Sequence, residues 1–140
     1  MKYKASFVVL VLFAMAVTAA AQGASESDAA ALGDLERYSD PAELQSLMEN
    51  PPEDLYLVDV RTTAEYEAGH IPGAINIDYR LLEESPPTTD VDAPIIVYCR
   101  SGSRSNTAFR MLEAMGYTNI LDWGGIMRWP FDVVAGSDPN

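Results

Sequence analysis

Two kinds of apolar pattern alternate along the chain, and together they predict strands followed by helices. The run I-I-V-Y at 95–98 has no polar position, which is typical of a strand buried on both faces of a parallel sheet. Downstream, apolar residues of 108–115 recur at the spacing of one helical face, and Gly116 stands where a left-handed C-cap would end that helix. This part of the chain therefore predicts a strand, a tight polar loop and a helix.

The same alternation extends to both sides of this unit. Asp40 before Pro41 predicts the start of one helix, and Thr62 with Glu65 forms a capping box for a second, which Gly69 closes. A single helical turn is expected at 81–84. Four further strands are predicted, at 35–38, 55–60, 74–77 and 119–121. Because strands alternate with helices, we expect an α/β fold of three layers, in which helices cover both faces of a mostly parallel five-stranded sheet.

The N-terminal residues differ in composition from the rest of the chain. M-K-Y-K is followed by an apolar run at 5–17 and by small residues at Ala19 and Ala21, which is typical of a secretory signal peptide. We predict cleavage before Gln22 and a periplasmic protein without membrane attachment; the alternative, a membrane anchor, is disfavoured because the apolar run is short. Residues 1–21 are thus the signal, 22–33 a flexible leader, 34–134 the domain and 135–140 a frayed tail.

The charge of the chain restricts its partners. The formal net charge is −12, and both lysines, Lys2 and Lys4, lie in the predicted signal, so the exported chain is more acidic still. Such a protein is repelled by phosphate backbones and by anionic lipid, which disfavours nucleic acid and membrane surfaces as partners. The single histidine has no cluster of thiols or acids at ligand spacing, so we expect no metal site.

Cys99, the only cysteine, is the candidate nucleophile. It follows the 95–98 strand and faces the N-terminus of the next helix, where loop N–H groups and the helix dipole form an anion-binding concavity. A thiolate placed there has a lowered pKa and can act as a nucleophile at neutral pH. The alternative is a buried structural cysteine, but the polar loop that follows it is a poor sequence for a core. That loop supplies the candidate substrate-binding residues Arg100, Ser101, Gly102, Ser103 and Arg104.

These residues resemble a known family. Cys99 with R-S-G-S-R at 100–104 is similar to the active-site loop of single-domain rhodaneses, sulfurtransferases that carry sulfur as a cysteine persulfide. D-V-R at 59–61, E-Y at 65–66 and G-H-I-P-G-A at 69–74 resemble the upstream signature of that family. Gly124-Gly125 with Trp129 resembles the downstream one. The resemblance spans roughly residues 35–129.

The resemblance implies a rhodanese-like fold and a thiosulfate sulfurtransferase of the secreted type. Cys99 would take the outer sulfur of a small anionic donor such as thiosulfate, and the loop would hold the donor's oxyanion. The acceptor would be cyanide or a thiol, including that of a thioredoxin-like protein. No cofactor is implied beyond the covalent persulfide on Cys99.

Four residues of the motifs are candidates for supporting roles. Asp59 is expected to be a structural ion-pair partner of Arg61 rather than a catalytic group. His70 is expected to be a loop histidine whose ring is satisfied by hydrogen bonds, and Trp129 to pack near the loop as a lid or core aromatic.

Three other functions remain open at this point. A persulfide carrier or partner-docking module would show little turnover of its own. Cysteine phosphatases and arsenate reductases of the same fold use a cysteine, five residues and then an arginine, but here Arg104 is already the fifth residue after Cys99. Thiol–disulfide exchange would need an external thiol, because the chain has no resolving cysteine.

Overall fold

The computed structural model describes residues 33–140, so the predicted signal peptide and nearly all of the predicted leader lie outside the described residues. The described part contains three α-helices, α1 (Pro41–Glu49), α2 (Thr63–Ala68) and α3 (Ser103–Ala114). Its strands are β1 (Tyr56–Asp59), β2 (Ile75–Asn76), β3 (Ile95–Cys99) and β4 (Ile120–Gly125). Short 3-10 helices occupy Leu35–Ser39, Tyr79–Leu81 and Ile126–Arg128.

The four strands form one parallel sheet in the order β2-β1-β3-β4. All five residues of β3 are buried, as the unbroken apolar run predicts for a central strand. Because parallel strands end at the same edge of a sheet, Asp59 of β1 lies opposite Tyr98, and Cys99 lies opposite Gly125 of β4. The thiol is therefore carried to the edge where parallel α/β sheets bind ligands.

Helices cover both faces of this sheet, which confirms the predicted three-layer α/β fold. On one face Leu57, Ile96 and Tyr98 pack in a cluster that includes Leu44 of α1 and Tyr66 of α2. The other face carries Val58, Ile95, Val97 and Cys99, and it packs against Ala108 and Leu112 of α3. Alternate residues of β3 thus serve two separate cores, and Cys99 belongs to the one under α3.

The strand predicted at 35–38 is wrong, because Leu35–Ser39 is a 3-10 helix. Asp34 caps it by accepting a hydrogen bond from the Glu36 N–H. Leu35 and Tyr38 are both buried and stand three residues apart, which is the spacing of one helical face and not that of a strand. The sheet of the described residues accordingly has four strands instead of the predicted five.

Smaller differences concern where elements begin and end. The last strand was expected at 119–121, but β4 runs to Gly125 because its end pairs with Cys99 of β3. The helical turn expected at 81–84 lies at Tyr79–Leu81. Within residues 33–140, none of the helices has both the length and the apolar character needed to cross a membrane.

The C-terminal segment differs from the predicted frayed tail. Val134 forms an antiparallel bridge with His70, and the Gly136 N–H donates to the Glu67 carbonyl at 2.8 Å. Further on, the Pro139 carbonyl accepts a hydrogen bond from the Gly73 N–H at 2.6 Å. The polar composition of 135–140 predicts fraying, but backbone groups of this segment are hydrogen-bonded to the last turn of α2 and to the loop after it.

Candidate active site

Cys99 lies at the bottom of a tight loop between β3 and α3. Its side chain faces α3 and the residue is 1% exposed. The Gly102 N–H donates a hydrogen bond to the sulfur at 3.0 Å. Gly102 has a φ of 109°, a left-handed backbone conformation that glycine adopts readily and that residues with a Cβ rarely adopt. The turn that aims this N–H at the sulfur therefore depends on glycine.

Ser105 also lies at the site, although it is not among the residues predicted from the sequence. It is fully buried, and its hydroxyl donates to the Gly102 carbonyl at 3.0 Å while Cys99 is a thiol; the hydroxyl oxygen lies 3.7 Å from the sulfur, so its proton can turn to a thiolate there. The Gly124 carbonyl lies 3.2 Å from the same hydroxyl. One signal could have identified it: Ser105 is three residues before Ala108, so it is a polar residue on the buried face of α3.

Two opposing effects set the pKa of the Cys99 thiol. Burial is the largest and disfavours the charged thiolate, which would raise the pKa. Hydrogen bonds from the backbone N–H groups of Ser105 and Gly102 favour the thiolate, with smaller contributions from the Ser105 hydroxyl and the Ser101 backbone. The hydrogen bonds win, and the pKa of Cys99 lies below its ordinary value. The loop is therefore built to hold negative charge on sulfur.

Arg104, expected to bind the donor, forms a bidentate ion pair with Glu65 of α2. Its Nη1 donates to Oε2 of Glu65 at 2.7 Å, and its Nη2 donates to Oε1 at 2.8 Å. The Arg104 guanidinium lowers the pKa of Glu65 to about 2, so the carboxylate is ionised throughout the physiological range. The same hydrogen bonds raise the pKa of Arg104. The ion pair between Glu65 and Arg104 could not be predicted from the sequence, because the two residues stand 39 positions apart.

The remaining loop residues form the rim of the site. Arg100, Ser101 and Ser103 are exposed, and the Arg100 carbonyl accepts a hydrogen bond from the Met127 N–H at 3.2 Å. Gly125 packs so closely beneath the loop that a Cβ there would lie 2.4 Å from the Arg100 carbonyl oxygen and 2.7 Å from the Ser101 Cα. The end of β4 thus supports the loop from below.

Asp59 and Arg61 form a buried ion pair at the end of β1. Both carboxylate oxygens of Asp59 accept hydrogen bonds from the Arg61 guanidinium, at 2.6 to 3.0 Å, and Arg61 also donates to the Gly69 carbonyl at 2.7 Å. Burial works against the charge of Arg61, but the bonds to Asp59 raise its pKa overall. Within residues 33–140 no hydrogen bond joins this pair to Cys99. Its contacts are those of a structural pair that fixes the loop after α2.

His70 and Trp129 lie away from the thiol. His70 is fully buried, stacks on Tyr66, and places its two ring nitrogens 2.9 and 3.0 Å from the carbonyls of Tyr66 and Asp138.

Trp129 packs edge-to-face against Trp123, in the core on the face of the sheet opposite Cys99. Trp129 also lines a groove of about 430 Å³, together with Met48, Pro72 and Phe131. Trp129 is thus a partly buried aromatic that packs against this core.

Metal ligands are not assembled around this thiol. In the part of the chain that the structure describes, no three His, Cys, Asp or Glu side chains are grouped so that they could hold a metal ion.

Backbone N–H groups at the N-terminus of α3, at the edge of a parallel α/β sheet, thus favour the thiolate form of Cys99. Residues 40–130 match the model of the Rhodanese-like domain, which is more than half of the chain. The chain therefore belongs to the rhodanese-like family, as the motif resemblance predicted.

Relatives of known name agree with this assignment. A Sulfurtransferase of Allochromatium vinosum is 40% identical over 78 residues, which cover 55% of this chain and 73% of that protein. Thiosulfate sulfurtransferase PspE of Escherichia coli is 37% identical over 71 residues, covering 49% of this chain and 68% of the relative. These names support a sulfurtransferase role for this chain.

Solved structures with the same fold include a rhodanese with anions from E. coli. It is 32% identical, has a TM-score of 0.50, and aligns over 59% of this chain and 99% of its own. A Rhodanese-like Domain Protein from Staphylococcus aureus is 26% identical with a TM-score of 0.58, over 69% of this chain and 95% of its own. Both superpose across most of their own length.

Proposed function

We propose that this protein is a thiosulfate sulfurtransferase that carries sulfur as a persulfide on Cys99. The observation that carries the proposal is the Cys99 sulfur held 3.0 Å from the Gly102 N–H, with a pKa lowered by backbone donors. A stabilised thiolate is the nucleophile such a reaction needs. The names of its relatives supply the sulfur chemistry.

In the first half of the cycle, the Cys99 thiolate attacks the outer sulfur of thiosulfate. A new S–S bond forms to Cys99 while the S–S bond of thiosulfate breaks, and its electron pair leaves with sulfite. The persulfide keeps a single negative charge, and it remains within reach of the N–H groups that hold the thiolate. Arg100 directly follows Cys99 in the sequence and is exposed at the rim, so its guanidinium would bind the sulfonate oxygens of the donor.

In the second half, a nucleophile takes the outer sulfur from Cys99. Cyanide attacks the terminal sulfur, the persulfide bond breaks, and its electron pair returns to Cys99 as thiolate while thiocyanate departs. A small thiol, or the thiol of a thioredoxin-like protein, would accept the same sulfur as a persulfide of its own. We place this activity in the periplasm, following the predicted signal peptide.

Thiocyanate release from thiosulfate and cyanide tests the proposal. The wild-type protein is expected to turn over, and the Cys99→Ser variant to fall to the uncatalysed rate, because serine cannot form a persulfide. Circular dichroism of both proteins checks that the fold is retained. Equal thiocyanate release by the two proteins would remove Cys99 from the reaction.

A further inference from the structure

The ion pair between Arg104 and Glu65 changes the charge that a donor meets beside Cys99. Arg104 is the second residue of α3, two positions beyond the glycine whose N–H contacts the sulfur. The negative charge of the Cys99 thiolate is among the causes that raise the pKa of Arg104, so the guanidinium interacts electrostatically with the sulfur. An unpaired arginine at this place would attract any anionic donor.

Glu65 removes that attraction, and its own position is fixed. Its Oε2 accepts hydrogen bonds from the backbone N–H and the hydroxyl of Thr62, at 3.1 and 2.9 Å, as part of the capping box of α2. The carboxylate is therefore held by the helix it caps, and it presents both oxygens to Arg104. Each side chain of the ion pair is about one third exposed, at 29% and 32%, so both stand at the solvent edge of the site.

The consequence depends on the charge of the donor. Electrostatic energy scales with the product of the charges, so an unpaired Arg104 would stabilise a bound dianion about twice as much as a bound monoanion. When Arg104 is paired with Glu65, the two charges largely cancel, so the ion pair attracts neither a dianionic nor a monoanionic donor strongly. Arg100 remains as the exposed cation of the loop, with no ion pair of its own among residues 33–140.

We propose that Glu65 is a specificity-determining residue: by pairing with Arg104 it withholds the added attraction for dianionic donors and so favours sulfur donors of single charge. This inference rests on the proposed sulfur transfer through Cys99 and concerns which donor class that site prefers. Monoanionic donors include organic thiosulfonates and organic persulfides. Thiosulfate, a dianion, would then be a usable donor that the site does not favour.

Two donors that differ by one charge test the proposal. Thiosulfate and methanethiosulfonate both carry an outer sulfur bonded to a sulfonyl sulfur, and the attack of Cys99 releases sulfite from the first and methanesulfinate from the second. In Glu65→Gln, we expect kcat/KM for thiosulfate to rise by about three- to tenfold through KM, and that for methanethiosulfonate by less than about threefold. Glutamine keeps an acceptor for the Thr62 N–H, so the cap of α2 is retained.

The Arg104→Gln variant completes the comparison. It leaves the Glu65 carboxylate unneutralised, so the ratio of thiosulfate to methanethiosulfonate kcat/KM is expected to fall. In the double variant Glu65→Gln, Arg104→Gln the ratio is expected to return towards the wild-type value, because both charges are gone. Both donors are measured on one preparation, so any loss of folded protein cancels from the ratio.

Glu43→Gln is the matched control. Glu43 is an exposed glutamate of α1 that pairs with Arg37 at 3.0 Å, and α1 packs on the sheet face opposite Cys99. The variant changes the net charge of the molecule by the same amount, and the donor ratio is expected to stay at its wild-type value.

The outcomes separate this inference from the proposed function. If Glu65→Gln changes kcat/KM for both donors by the same factor, or lowers the ratio, Glu65 is merely structural and the inference is overturned. If neither donor yields thiocyanate with the wild-type protein, the proposed function itself fails and this inference is overturned with it.

Discussion

At the scale of single residues, the site depends on hydrogen bonds that outweigh burial at one sulfur atom. Cys99 is buried, which alone would keep its thiol protonated, yet backbone N–H groups from Gly102 and Ser105 lower its pKa. Each is a fixed donor, so no side chain has to reorganise when charge develops on the sulfur or on a persulfide. The thiolate is thus stabilised by backbone donors of the loop and of the first turn of α3.

Ser105→Ala tests the part of this effect that belongs to a side chain. The hydroxyl of Ser105 contributes to lowering the pKa of Cys99, so its removal is expected to raise that pKa and to move the pH midpoint of Cys99 alkylation by iodoacetamide upwards. Losing its bond to the Gly102 carbonyl should cost about 1 kcal/mol of the free energy of unfolding.

The matched control for this variant is Thr107→Val. The Thr107 hydroxyl bonds the Ser103 carbonyl at 3.2 Å on the exposed side of α3, away from the sulfur. The pH midpoint of Cys99 alkylation in Thr107→Val should equal that of the wild type. An unshifted midpoint in Ser105→Ala would show that the backbone donors act alone.

The sequence was sufficient to predict some site residues but not others. Cys99 and its loop were predictable because a lone cysteine follows an unbroken apolar strand and precedes a polar loop and a helix. The bond between Arg104 and Glu65 was not, because 39 positions separate the two residues and only the fold brings their side chains together. Arg104 was therefore assigned to the donor, whereas its guanidinium is bound to a carboxylate.

At the scale of elements, the site is assembled where several chain segments end together. β3 delivers the thiol, the first turn of α3 provides donors, and α2 provides the partner of Arg104. The end of β4 supports the loop through close contact at Gly125, whose backbone is extended and would accept any residue if space allowed. The loop geometry therefore depends on a neighbouring strand as well as on its own sequence.

Gly125→Ala tests that support. A Cβ at this position would lie 2.4 Å from the Arg100 carbonyl oxygen, so the loop has to shift by a substantial fraction of an ångström. A displacement of about 1 Å in a positioned reacting group can cost on the order of 100-fold in rate, and we expect a loss approaching that in kcat/KM for thiosulfate.

Gly69→Ala is the control for added bulk at a glycine. Its Cβ would meet the Val133 side chain at 3.1 Å, on the C-terminal segment and not on the loop. Activity should remain within about threefold of the wild type, since a side chain yields more easily than backbone. Equal activity in both variants would mean that β4 does not position the loop.

At the scale of the whole molecule, the two apolar cores were largely predictable and the connections were not. Helix caps at Asp40 and Thr62 placed α1 and α2 correctly, since each begins at the residue after its cap. The segment at 35–38 was mistaken for a strand, although its two buried apolar residues stand three positions apart on one helical face; four residues are too few to establish a period. The hydrogen bonds of residues 134–139 could not be predicted, because they join backbone groups and so produce no pattern of side chains in the sequence.

We propose that Cys99 carries the transferred sulfur, and the mass of the intact protein after incubation with thiosulfate tests this most directly. We expect a gain of one sulfur atom in the wild-type protein, its removal by cyanide with release of thiocyanate, and no gain in Cys99→Ser. If protein with a titratable free thiol gains no sulfur, or if Cys99→Ser gains it equally, Cys99 is not the carrier and phosphate or arsenate chemistry at the same loop becomes the next hypothesis to test.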